Sequence, residues 1–213
     1  FCEIVLTGIS TASFGKDTGE SLLSLILKIH EIEGVKRIRM GSLDPMLFTD
    51  EFTQSIAKLP KMCEHFHLSL QSGCDSVLAN MNRKYKTEDY ANAVRRIRES
   101  FKDASITTDI ITGFPGESEE DFKETLAFAE RVNLNDIHVF PYSEREGTKA
   151  ADMTPKVPVP VRQERAGRLI SLAKSLRKSF LQSFIGQKKE VLAEQRTQAG
   201  LFEGYTSNYI KVV

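Results

Sequence analysis

The chain alternates short apolar runs with longer stretches of helical periodicity. Glu3–Ile9 (EIVLTGI) is β-branched and apolar and predicts a strand. A loop containing glycine, Ser and Thr runs from Gly8 to Gly19, and Leu22, Leu23, Ile26, Leu27 and Ile29 then recur at helical spacing, with Gly34 placed to end that helix. Arg37–Leu43 (RIRMGSL) predicts a second strand and Asp44-Pro45 a turn; Thr49 is placed to cap a helix carrying Phe52, Ile56 and Leu59 on its inner side. Phe66–Leu70 predicts a third strand followed by two helices, the second starting at Thr87 with Ala91, Val94, Ile97 and Phe101 inward. Ser105–Glu117 (SITTDIITGFPGE) predicts a fourth strand ending in a Gly-Pro-Gly turn. Ser118 opens a helix whose acidic first turn suits the helix dipole, and Asp136–Phe140 predicts a fifth strand.

Strands separated by one or two helices imply a parallel sheet with right-handed crossovers, and their continuous apolar character suits burial on both faces. Four of the seven prolines fall between Pro141 and Pro160, marking a long loop and a boundary. Pro160 suits a first helical position, and Leu169, Leu172, Leu176, Phe180 and Phe184 line one face of a long helix that Gly186 can end. Beyond Lys189, EVLAEQ and NYIKV around Gly200 and Gly204 alternate with a short period, as at the start of a small β-domain. The expected organisation is therefore an α/β unit over 1–159, a connecting helix over 160–187 and an incomplete β-domain over 188–213.

Lys+Arg and Asp+Glu are equal at 29 each, so net charge carries no nucleic-acid signal, but its distribution is uneven. Val161–Lys189 holds eight Lys/Arg against one Glu, and Asp109–Asp136 holds eight acids against two bases. A basic arm of this kind suits a polyanion, although a charge run is ordinarily a solvated face. No apolar run has membrane-spanning length and no signal-peptide pattern is visible. Cys2, Cys63 and Cys74, odd in number and unrelated in spacing, argue against a disulfide framework and for a reducing, cytoplasmic setting. Phe1 lies inside a strand pattern, as expected of a fragment.

The segment His67–Tyr85 (HLSLQSGCDSVLANMNRKY) carries the most chemistry. An apolar strand runs into Gln71, Ser72 and Gly73 and then a helix, which places side chains at the carboxyl end of a sheet or barrel, where α/β proteins bind ligands. Gly113-Phe114-Pro115-Gly116 is a second strand-to-helix junction and reads equally as close backbone approach to a ligand or as a tight turn. His65 and His67 share one side of a strand, but no third ligand is evident, so no metal site is expected there; His138, inside a strand, reads as a core or lumen histidine. The facing of Asp109 is open between lumen and helix layer. No phosphate-binding loop, dinucleotide fingerprint, structural zinc spacing or nucleophile elbow is present.

Five blocks in register resemble the radical-SAM methylthiotransferases: EIVLTGISTASFG, RIRMGSLDP, HLSLQSGCDSVLANMNRKY, TTDIITGFPGESEEDF and HVFPYSEREGTKAADM. The terminal EVLAEQ and GYTSNYIKV are similar to the opening of a TRAM domain, the small β-barrel with which these enzymes grip RNA. L-S-L-Q-S-G-C, M-N-R-K-Y and V-L-T-G-I resemble the branch that modifies N6-threonylcarbamoyladenosine 37 of tRNA; the isopentenyl-adenosine branch and the ribosomal-protein S12 branch are the alternatives, and Ser72 counts against the latter.

The resemblance implies a partial (β/α) barrel of six strands, five of them present. It also implies S-adenosylmethionine (SAM) and two [4Fe–4S] clusters as cofactors, with cluster ligands on a missing CxxxCxxC loop and an upstream domain, since Cys2, Cys63 and Cys74 do not form such a loop. The implied full-length enzyme generates a deoxyadenosyl radical that takes hydrogen from adenine C2, to which a methylated sulfur is then joined; the sulfur donor is unknown and the fragment itself is expected to be inactive. Thr7, Gly8, Ser42, Ser69, Gln71, Gly113, Phe140 and Tyr142 are the implied SAM contacts. Arg165, Arg168, Lys174, Arg177 and Lys178 are candidates for a wet helix face against tRNA phosphates. A barrel lyase or aldolase and a non-catalytic RNA-binding module are the competing classes.

Overall fold

The computed structural model describes residues 2–8, 11–15 and 17–213. Five strands, β1 (Glu3–Leu6), β2 (Arg37–Leu43), β3 (Met62–Leu68), β4 (Ser105–Thr112) and β5 (Asp136–Pro141), lie side by side in chain order, every neighbouring pair parallel. Between them run α1 (Leu22–Glu31), α2 (Asp50–Ala57), α3 (Asp75–Asn80), α4 (Thr87–Ser100) and α5 (Glu119–Arg131). The short α6 (Lys149–Asp152) and the long α7 (Val159–Gln182) follow, then an antiparallel sheet of β6 (Val191–Arg196), β7 (Phe202–Thr206) and β8 (Lys211–Val212). The expected α/β architecture with five parallel strands and a small β-unit after it is the one observed.

Helix starts follow local chemistry. Ser21 and Ser118 each form a capping box at α1 and α5, and the Thr49 hydroxyl accepts from Phe52 N–H at 3.2 Å at the head of α2. One face of the parallel sheet is apolar and covered by helices: Ile38, Met40, Phe66, Leu68, Ile106 and Ile110 are fully buried there. Phe66 holds Phe48 edge-on at 5.6 Å and packs Phe101 at 4.9 Å, so the centre of this layer is aromatic. Strand alternation sends Arg37, Arg39, His65, His67, Thr107, Asp109 and His138 to the opposite, polar face.

The small sheet docks on that polar face where the strands begin. Arg37 Nη1 donates to Tyr205 O at 2.9 Å, Arg39 Nη1 to Ser207 O at 3.1 Å, and Tyr209 stacks on the His65 ring at 4.4 Å and 7°. Guanidiniums there satisfy carbonyls that docking takes away from water.

Element ends differ from the sequence reading at four places. β1 ends at Leu6 rather than Ile9, which lies outside the described residues. β3 starts at Met62, four residues before Phe66, because its pairing with β2 is irregular and breaks the period-two pattern. β4 stops at Thr112. α7 starts at Val159 with Pro160 in its first turn and ends at Gln182, so Phe184 sits beyond it.

Candidate cofactor cavity and the polar face of the sheet

Two non-glycine residues at strand ends hold left-handed backbone: Ser42 (φ 57°) after the core of β2 and Gln71 (φ 69°) after β3. Such backbone is strained for a side-chain-bearing residue and concentrates at functional sites. Gln71 is fixed from both sides, its N–H donating to Asp109 O and its carbonyl accepting from Ile111 N–H, each at 2.9 Å. The neighbours explain the Q-S-G-C run. Ser72 is buried 3.2 Å from Thr125 Oγ1, and Gly73 lies so close to α5 that a Cβ would meet Thr125 Cα at 2.9 Å. Gln71 alone is left to face outward.

Gln71, Phe140 and Tyr142 line one cavity of about 480 Å³ with Asp109, Ile111 and Arg145. Thr7 and Gly8 border a separate cavity of about 370 Å³ beside Phe14 and Leu22. Ser42 is exposed with its carbonyl accepting from Thr11 Oγ1 at 3.5 Å, and Ser69 is half-buried with its N–H on Leu43 O. Of the eight expected SAM contacts, the structure therefore gathers three into one cavity. Arg145 and Glu117 were not singled out from sequence; nothing in their local pattern marks them.

Gly113 lies outside both cavities and has an internal explanation. Its φ is +71°, a Cβ would lie 2.4 Å from Arg162 Cγ, and its N–H donates to Glu117 Oε1 at 2.9 Å. The Gly-Phe-Pro-Gly-Glu turn closes on itself and on α7.

The three cysteines do not fit an iron–sulfur cluster. Burial pushes the thiols of Cys63 and Cys74 up to about 11, and Cys2 is exposed. The Cys74 thiol lies 3.1 Å from both Asp121 Oδ1 and Glu124 Oε2, sharing one proton between two carboxylates rather than offering a thiolate.

On the polar face, Thr107 Oγ1 stands 3.0 Å from His67 Nδ1 and 3.1 Å from His65 Nε2. Burial, then the charge of Arg39, holds His65 down at about 3, so it is neutral. Asp109 Oδ1 lies 3.4 Å from His67 Nε2 and 3.3 Å from His138 Nδ1. The question of facing for Asp109 is thus resolved toward the polar side. The third ligand missing from the sequence reading of the His65/His67 pair exists in space: His67 groups with Asp109 and His138, while His65 does not take part.

The helix read as a wet basic face needs correction. Arg165 is 4% exposed and its Nη1 lies 2.6 Å from Glu117 Oε1, because α7 packs directly on the end of the parallel sheet. Arg168 pairs with Glu119 at 2.8 Å and Arg177 pairs with Asp136. Among the described residues, Lys174 and Lys178 have no ion-pair partner. The apolar stripe is buried at Leu169 and only partly so at Leu172, Leu176, Phe180 and Phe184.

The chain matches the model of the Radical SAM superfamily over residues 2–129. It is 40% identical over 209 residues to a threonylcarbamoyladenosine tRNA methylthiotransferase of Thermotoga maritima, covering 98% of this chain and 48% of that protein. It is 41% identical over 210 residues to a tRNA-2-methylthio-N(6)-dimethylallyladenosine synthase of Acetivibrio thermocellus, covering 97% of this chain and 44% of the relative. The chain thus spans about half the length of these curated relatives. In fold it is similar to coproporphyrinogen III oxidase (HemN) of Escherichia coli, with a TM-score of 0.59 at 16% identity over 72% of this chain and 37% of that one.

Proposed function

Because the chain belongs to the radical SAM superfamily, we propose that the whole protein methylthiolates C2 of N6-threonylcarbamoyladenosine 37 in tRNA. The observation that carries this reading is identity of about 40% along nearly the entire chain to a tRNA methylthiotransferase of that name. The dimethylallyladenosine relative supports the same reaction class on an adenosine that differs in its N6 substituent.

SAM, when bound at a reduced [4Fe–4S] cluster, supplies the radical that opens the target C–H bond. The cavity at Gln71 and Tyr142 suits that ligand: an amide that both donates and accepts, and the half-exposed Phe140 as an apolar surface for a base. The cluster ligands come from residues other than Cys2, Cys63 and Cys74. Lys174 and Lys178, with the small antiparallel sheet, are the surfaces we assign to tRNA phosphates, and the sheet is the start of a TRAM-like unit.

Nucleoside mass spectrometry of tRNA from a methylthiolation-deficient host expressing the full-length protein tests this reading. The 2-methylthio derivative of threonylcarbamoyladenosine is the expected product. Its isopentenyl counterpart alone would move the substrate to the second relative's base, and absence of both would overturn the reaction class.

A further inference from the structure

We propose that His67, Asp109 and His138 form a binding site for one divalent transition-metal ion of the zinc–cobalt–nickel class, independent of the iron–sulfur clusters. The donor set is two imidazoles and one carboxylate, a combination these ions take readily.

Geometry supports it first. For metal–ligand bonds of about 2.0–2.1 Å, neighbouring ligand atoms of a tetrahedron stand roughly 3.3–3.4 Å apart. Asp109 Oδ1 is 3.4 Å from His67 Nε2 and 3.3 Å from His138 Nδ1, and all three ligand atoms lie within 4.8 Å of one another. Both contacts are longer than the roughly 2.7–2.9 Å of a charge-assisted hydrogen bond, so the carboxylate is held tightly by neither ring. The residues also sit on three adjacent strands, β3, β4 and β5, with Asp109 directly paired to His138 in register. Ligands on a parallel sheet are held more rigidly than ligands on loops.

Orientation comes from the next layer of contacts. The Thr107 hydroxyl, 3.0 Å from His67 Nδ1, turns the Nε2 lone pair toward Asp109, as outer hydrogen bonds do for metal-bound histidines. His65, on the same hydroxyl and stacked under Tyr209, fixes Thr107 in turn. Space remains for further ligands, because the cluster separates two cavities. His67 and His138 border one of about 380 Å³ beneath the small sheet, and Asp109 borders the cofactor cavity.

Calorimetry of the chelator-treated chain with Zn²⁺ tests the site, together with Co²⁺ absorption, which reports coordination geometry directly. One ion per chain with a four- or five-coordinate Co²⁺ spectrum is expected. The His138 side chain is 58% exposed, so His138→Ala keeps the fold and should abolish that binding. Thr107→Val should weaken it about 10–100-fold. Cys74→Ser, which alters the separate Cys74, Asp121 and Glu124 group, should leave it unchanged. Saturation only at millimolar Zn²⁺, an octahedral hydrated Co²⁺ spectrum, an isotherm indifferent to His138→Ala, or one lost in Cys74→Ser would each overturn the proposal. Since every readout is metal binding alone, failure here leaves the tRNA reading standing, and the converse holds.

Discussion

Glu117 and Arg165 form an ion pair sealed inside the protein: 2.6 Å apart, with side chains 2% and 5% exposed. Burial pushes the Glu117 carboxyl above its ordinary range, while the Gly113 N–H and Arg165 pull it back down. Removing the arginine leaves an uncompensated buried carboxylate. Arg165→Met should cost about 3–5 kcal/mol of stability at neutral pH, and adding Glu117→Gln should recover part of it. A carboxyl whose folded pKa is raised loses stability as pH rises through that value, so the deficit of the single variant should shrink toward pH 4.5. Urea denaturation of both variants across this range checks the sign.

Gly113 holds the same junction by having no side chain. Left-handed backbone and the contact with Arg162 act together in Gly113→Ala, which should destabilise by roughly 2–5 kcal/mol. Gly116→Ala, also at positive φ but with open space beyond Asn80, should cost only the backbone part. Comparable losses in the two variants would show that packing on α7 does not matter.

Asp121 gives a pH signature of opposite sign. Burial raises its pKa, but hydrogen bonds from the Ser118 N–H, the Cys74 thiol and the Ser118 and Ser76 hydroxyls outweigh that and hold it at about 2. A depressed carboxyl contributes stability that is present above the unfolded value of 3.8 and lost as pH falls through 2. Asp121→Asn should therefore flatten the fall of melting temperature between those two pH values, and should cost on the order of 1 kcal/mol at neutral pH through the capping box at Ser118. An acid limb with the same steepness as the parent would show that Asp121 does not govern it.

Much of the parallel layer was legible because its strands alternate: RIRMGSL, SITTDII and DIHVF lie where their patterns put them, although only the helix side is apolar and the other side carries Arg37, Arg39, Thr107, Asp109 and His138 rather than the continuous apolar character expected. The start of β3 was not, since Met62 and Cys63 are both buried across an irregular pairing and no period survives there. Site residues divided along the same line. Gln71 announced itself as a polar residue at a strand end, a local feature. The approach of His67, Asp109 and His138 depends on the register of three strands far apart in sequence, which one chain's pattern does not contain. Arg165 misled for the related reason that its partner Glu117 belongs to another element; on a helical wheel it is simply a charge.

Gln71 separates strain from function. Its left-handed backbone costs on the order of 1–2 kcal/mol that glycine would not incur, so Gln71→Gly should leave the protein at least as stable while removing the amide from the cavity. In the whole protein, SAM affinity should fall with no drop in melting temperature, and Gln71→Leu should lose affinity as well. Unchanged SAM binding by calorimetry with a lower melting temperature would make Gln71 a structural residue.

The tRNA face of α7 reduces to Lys174 and Lys178. Both border the shallow groove with Leu181 and Ile185 on the outer side of the helix, where they carry no counter-charge, whereas Arg165, Arg168 and Arg177 are already neutralised by Glu117, Glu119 and Asp136. Only uncommitted cations release counterions on meeting phosphate, so each should contribute about 0.7–0.9 to the slope of log affinity against log salt. Lys174→Glu with Lys178→Glu should weaken the whole protein's binding to different tRNAs alike and flatten that slope by about 1–2. Arg168→Glu should change it less, because the free cation it replaces is absent in the folded state and its main effect is to repel Glu119. A salt slope that follows Arg168 rather than the two lysines would mean that the Glu119 pair opens on RNA and that the arginine, not the lysines, makes the contact.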